Sequence, residues 1–76
     1  MEIKDFIENF VEQFDDEPTC EVIEKTKFRD LDGWSSIVAL SVMSMIDDEY
    51  DVQLNATEMR QANTIQELFD IVSSKQ

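Results

Sequence analysis

Apolar side chains at Ile3, Phe6, Ile7, Phe10, Val11 and Phe14 follow one another at steps that gather them on a single stripe of an amphipathic helix. The pattern predicts a helix from Ile3 to near Asp15, with the phenylalanines serving as core rather than as a partner-binding face. The run Asp15-Asp16-Glu17-Pro18-Thr19 should stop it, because Pro18 has no N–H and disfavours helical backbone at the residue before it. From there to Ser35 no long periodic segment occurs. A loop of about twenty residues is uncommon in a compact domain and needs anchors. Val22 and Ile23 can pin its first half, and Phe28 with Leu31, spaced as one helical turn, its second.

A second helix is predicted from about Ser36 to Tyr50. Ile37, Leu40, Met43, Ile46 and Tyr50 form its apolar stripe, widened by Ala39 and Val42, while Val38, Ser41, Ser44 and Met45 face the other way. Asn55, with Glu58 three residues on, reads as the capping box of a short, polar third helix. Thr64 and Glu67 repeat the box ahead of Ile65, Leu68, Phe69 and Val72, the apolar face of a last helix that frays over Ser73-Ser74-Lys75-Gln76. Such stripes must bury one another, so the expected fold is all-α: one domain over residues 1–76, a small bundle of three longer helices and one short helix with a long first loop.

Composition narrows what such a bundle can do. Eighteen acidic against six basic residues give a net charge of −12, which disfavours nucleic acid and anionic membrane and favours partners with basic patches. Disorder is the other common fate of so acidic a chain, but 42% hydrophobic residues at helical spacing argue for a packed core. With one cysteine and no histidine, no disulfide or zinc site is expected, and Cys20 should be reduced and inert. No enzyme-like set of base, nucleophile and metal ligands can be assembled, so catalysis is not expected. Asp47, Glu49, Asp51 and Glu58 partly imitate a calcium loop, but Val52 stands where that loop needs glycine, so no metal site is expected there. The residues from Met1 to Asp5 lack a basic stretch followed by an apolar run, and no segment is long enough to span a membrane. A cytoplasmic monomer is the expectation.

The most informative stretch is Leu31-Asp32-Gly33-Trp34-Ser35-Ser36-Ile37, where a glycine turn leads into the second helix. One serine can cap the helix while the other begins it with its hydroxyl outward. Unpaired N–H groups and a partial positive charge make that position favourable for a phosphate. Here the sequence resembles the acyl carrier proteins and the related peptidyl carrier domains, whose mark is an Asp-Ser-Leu motif at the head of the second helix, often after a Gly-Trp or Gly-Ala pair. The matching residues are Gly33-Trp34-Ser35-Ser36-Ile37, and Met45-Ile46-Asp47-Asp48-Glu49-Tyr50-Asp51-Val52 resembles the acidic-aromatic end of the family's second helix. Ser35 stands where the family usually has Asp, a residue through which the modifying transferase recognises its substrate, so the departure bears on the efficiency of priming.

The resemblance implies that Ser36 carries a covalent 4′-phosphopantetheine arm, attached by a phosphopantetheinyl transferase. It also implies that the arm holds acyl groups as thioesters for acyl-loading and acyl-processing enzymes of fatty acid or polyketide biosynthesis. Ser35, Ile37, Asp47, Asp48, Glu49 and Asp51 would then form the partner-recognition surface, with the acids steering basic partners at modest affinity. Acids are missing from the serine end of the helix, which suggests a dedicated pathway. Met43 and Met45, with Ala39 and Ile46, are candidates to line a space for a short acyl chain, although ordinary core filling is the plainer account of them. Lys25, Lys27 and Arg29 either offset nearby acids or meet a partner or the arm's phosphate. Two other readings fit the same residues: a stand-alone peptidyl carrier loaded with an amino acid, and an unmodified acidic interaction module in which Ser36 only opens a helix.

Overall fold

The computed structural model describes residues 2–14 and 21–76. Among them are four α-helices, α1 (Ile3–Val11), α2 (Ser36–Tyr50), α3 (Ala56–Gln61) and α4 (Ile65–Lys75), with a 3₁₀ turn at Phe28–Asp30. The fold is a small all-helical bundle, as the periodicity predicts. The expected helix stop at 15–19 and Cys20 lie outside the described residues.

Phe6, Phe10 and Phe14 are all buried, so the first stripe is core. Its helix, however, ends at Val11 rather than near Asp15. The Gln13 amide donates to the Phe10 carbonyl and the Phe14 amide to that of Val11, both at 3.1 Å. These tighter bonds turn the chain as a 3₁₀-type end does, and they deliver Phe14 to the core without a further helical turn. Phe10, Phe14 and Phe28 surround Trp34, which stacks on Phe10 at 6.0 Å and meets Phe28 edge-on at 5.1 Å. This aromatic group closes the end of the bundle from which α2 starts. At the other end Phe6 packs against Tyr50 and Phe69.

The long first loop is tied down by hydrogen bonds as much as by apolar anchors. Val22 packs against the core, but Ile23 is 41% exposed and does not pin the loop as expected. The loop backbone instead seals the start of α4: the Ile65 amide donates to the Thr26 carbonyl at 3.2 Å and the Gln66 amide to that of Glu24 at 2.9 Å. Phe28 and Leu31 are buried and do anchor its second half. Arg29 is not engaged there as a simple counter-charge; it donates from Nη1 to the Met59 carbonyl at 3.0 Å and from Nη2 to Asn63 Oδ1, tying the loop to α3.

The face that α2 turns inward differs from the expected one. Val38, Val42, Met45 and Ile46 are buried, whereas Ile37 and Leu40 are 75% and 65% exposed. Apolar residues occupy nearly every side of this helix, so two stripes satisfy the helical spacing, and the common core takes the one with Val38, Val42 and Met45. Met45 and Ile46 are therefore part of the buried core.

Candidate functional site

The start of α2 is positioned from outside the helix. Gly33 has φ +87°, a left-handed conformation that side chains other than glycine rarely adopt, and its turn is closed by the Trp34 amide donating to the Leu31 carbonyl at 3.2 Å. With Trp34 packed into the aromatic group, the next two residues are fixed relative to the core. They are the two serines.

Their roles divide. Ser35 is the N-cap, in extended conformation, and its Oγ accepts from the Val38 amide at 3.3 Å. Ser36 is the first residue of α2 and is exposed. Among the described residues no acceptor engages the Ser36 and Ile37 amides, so the hydroxyl of Ser36 stands beside unpaired N–H groups at the positive end of a 15-residue helix. A phosphoryl group esterified to that oxygen would be both accessible and electrostatically favoured.

Beside Ser36 a groove of about 570 Å³ opens between α2 and α3. Ser35, Ser36, Ala39, Leu40 and Met43 form the α2 wall, Ala56, Met59 and Arg60 the α3 wall, and Trp34 and Arg29 close it from the loop. Of the residues suggested for such a space from sequence, Ala39 and Met43 line it. Arg29 is singled out in the sequence as a candidate contact for a partner or the arm's phosphate, and Trp34 as part of the motif, but Ala56, Met59 and Arg60 were not foreseen, and no local signal marks them. The α3 wall and the loop come together only in the folded chain, where Arg29 bonds to the Met59 carbonyl 30 residues away.

The other suggested recognition residues lie along α2 and outside the groove. Ile37, next to Ser36, is exposed, and with Leu40 it makes an apolar patch. Asp47, Asp48 and Glu49 are exposed on the last turn, and Asp51 is the C-cap in left-handed conformation, φ 55°, with its amide donating to the Asp47 carbonyl at 3.0 Å. A short acid side chain tolerates that backbone better than most. No basic residue lies in this last turn, so four acids crowd the negative end of the helix dipole.

Among the described residues no three histidine, cysteine, aspartate or glutamate side chains are gathered as metal ligands, and no helix is long and apolar enough to cross a membrane. A scan against protein-family models and searches among curated proteins and solved structures find no match to this chain.

Proposed function

We propose that this protein is an acyl carrier whose Ser36 bears a 4′-phosphopantetheine arm. The observation that carries the reading is the division of labour between the serines: Ser35 spends its hydroxyl on the cap, leaving Ser36 exposed, rigidly seated and beside open amides. Loading by a phosphopantetheinyl transferase forms a bond from Ser36 Oγ to the phosphorus of the coenzyme A diphosphate that bears pantetheine. The bond to the other phosphate breaks, the hydroxyl proton is released and 3′,5′-bisphosphoadenosine leaves. The arm then supplies a terminal thiol on which acyl groups are held as thioesters. The chain itself presents that arm, with the apolar pair Ile37 and Leu40 beside Ser36 and the acids Asp47, Asp48, Glu49 and Asp51 farther along the same helix as the docking surface for acyl-loading and acyl-processing enzymes.

A second reading, aminoacyl cargo on the same arm, is favoured by the uncharged serine end of α2, where Ile37 and Leu40 are exposed. Loading by an amino-acid-activating enzyme in place of an acyl-loading one separates the two. Incubation with coenzyme A and transferases of more than one type tests the shared premise. The intact mass should rise by one arm, and an unchanged mass would leave an acidic interaction module.

A further inference from the structure

The surface around Ser36 differs in charge from the rest of the chain. The sequence holds two arginines against a net charge of −12, and both line the groove beside Ser36, where no acid does. Arg29 also lines a smaller hollow of about 330 Å³ with Lys27, Asp30 and Asn63, so Lys27, Arg29 and Arg60 make one basic strip that reaches the groove of the attachment serine. Arg29 is held in place by the Met59 carbonyl and Asn63. Arg60 is exposed on α3, and among the described residues no hydrogen bond or ion pair engages its guanidinium. Its neighbours three and four residues away, Ala56, Thr57, Asn63 and Thr64, are uncharged, so the local chain offers it no acid at pairing distance. In a chain with 18 acids, that leaves a cation the fold does not use. The far end of α2 has the opposite character, with Asp47, Asp48, Glu49 and Asp51 exposed and no basic residue in the last turn.

An enzyme that acts on the Ser36 oxygen has to cover this rim, because Ile37 and Leu40 follow it along α2 and Arg60 stands across the groove. A uniformly basic enzyme surface suits the acidic end of α2 but sets like charges together at Arg60 and leaves that guanidinium without a partner; both oppose docking. We propose that the transferase that arms Ser36 docks with mixed polarity. A carboxylate on the enzyme pairs with Arg60, an apolar seat takes Ile37 and Leu40, and a basic patch lies over the acids at the far end of α2. The planar guanidinium binds a carboxylate through two parallel charge-assisted hydrogen bonds, so Arg60 sets the enzyme's orientation as well as attracting it. The proposal rests on Ser36 being the attachment point, and it names the chemistry of the surface that must reach it.

The full chain, Arg60→Glu and Lys4→Glu are armed from coenzyme A by a phosphopantetheinyl transferase of the same organism, with urea unfolding used to establish that each variant is folded. Both substitutions make the net charge more negative by the same amount, but Lys4 stands on the first turn of α1, at the opposite end of the bundle from Ser36. Arg60→Glu should lower kcat/KM about tenfold through the KM for the carrier, and added salt should shrink the deficit. Arg60→Gln, which removes the charge without reversing it, should lose less in the same direction. Lys4→Glu should stay within about twofold of the wild type. Loading of Arg60→Glu that is faster than or equal to that of the wild type overturns the proposal, because an enzyme drawn by negative charge alone gains from the change. An equal loss in Lys4→Glu overturns it too, since the effect would then follow net charge. So does a raised KM for coenzyme A with that for the carrier unchanged, which would assign Arg60 to the phosphates of the coenzyme. A chain whose intact mass shows no arm in any form overturns the reading of Ser36 as well.

Discussion

Two helices of this bundle begin with a hydroxyl cap, and they begin very differently. At α4 the Thr64 Oγ1 accepts from the Glu67 amide at 3.1 Å, and Glu67 Oε1 accepts from the amides of Thr64 at 3.0 Å and Asn63 at 2.9 Å. The carbonyls of Thr26 and Glu24 take the next two amides, so this helix start is closed on itself. At α2 the Val38 amide donates to Ser35 Oγ, and among the described residues no acceptor engages the first two amides. A start that only had to stabilise its helix would resemble that of α4. The difference supports reading the α2 start as a receiving position, held by Trp34 and Gly33 from behind while its front stays open.

The largest effect expected concerns that backing. Trp34→Ala should cost about 3 kcal/mol, the low end for a large aromatic since Trp34 is half-buried, as read by urea unfolding. A loss below about 1 kcal/mol would mean that the aromatic group does not hold the α2 start.

The comparison is sharpened by paired cap substitutions. Thr64→Ala should lose about 1 kcal/mol, whereas Ser36→Ala should stay within about 0.5 kcal/mol of the wild type, because Ser36 has no structural task. Equal losses would mean that both helix starts serve stability alone. Ser35→Asp keeps a capping oxygen and restores the residue usual in carrier proteins, so it should speed loading by a transferase without weakening the fold. Slower loading would show that Ser35 itself is what the transferase reads.

A smaller effect lies at the far end of α2. Asp47→Asn or Asp48→Asn should each add about 0.3–1 kcal/mol at low ionic strength, since each removes an acid from the negative end of the helix dipole. Magnesium should raise the melting temperature of the wild type more than that of a variant carrying both Asp47→Asn and Asp48→Asn. No gain in either test would mean that packing, and not charge crowding, sets stability there.

The smallest effect is a pH dependence at the α3 cap. The Lys75 ammonium, bonded at 2.7 Å, and then the Asn55 amide hold the Glu58 carboxyl below its ordinary range. A carboxyl lowered in the folded state contributes fully above its unfolded value, and that contribution is lost as pH falls through the folded one. The melting advantage of wild type over Glu58→Gln should therefore shrink in acid, and a constant gap would remove this group from the acid response.

What the amino-acid order made legible, and what it hid, follows from how one-sided each element is. α1 carries apolar residues on one stripe, so its face was readable, and the capping boxes placed α3 and α4 through side chains close in sequence. α2 is apolar nearly all round, and the stripe through Ile37 and Leu40 fits as well as the one through Val38, Val42 and Met45. The deciding signal was present: at about 100° per residue, Ser36, Ser44, Asp47 and Asp51 share a side, and the exposed polar set brings Ile37 and Leu40 out with it. The arginine-lined groove had no such signal, because Arg29 reaches Met59 and Asn63 only once the loop has folded across α3.

The central claim is that Ser36, and not its neighbour, is the point of attachment. Wild type, Ser35→Ala and Ser36→Ala are each incubated with a phosphopantetheinyl transferase and coenzyme A, and the modified residue is located by fragmenting the peptide that spans both serines. The account expects one arm on Ser36 in the wild type and in Ser35→Ala, and none in Ser36→Ala. An arm on Ser36→Ala, or on none of the three, would contradict it.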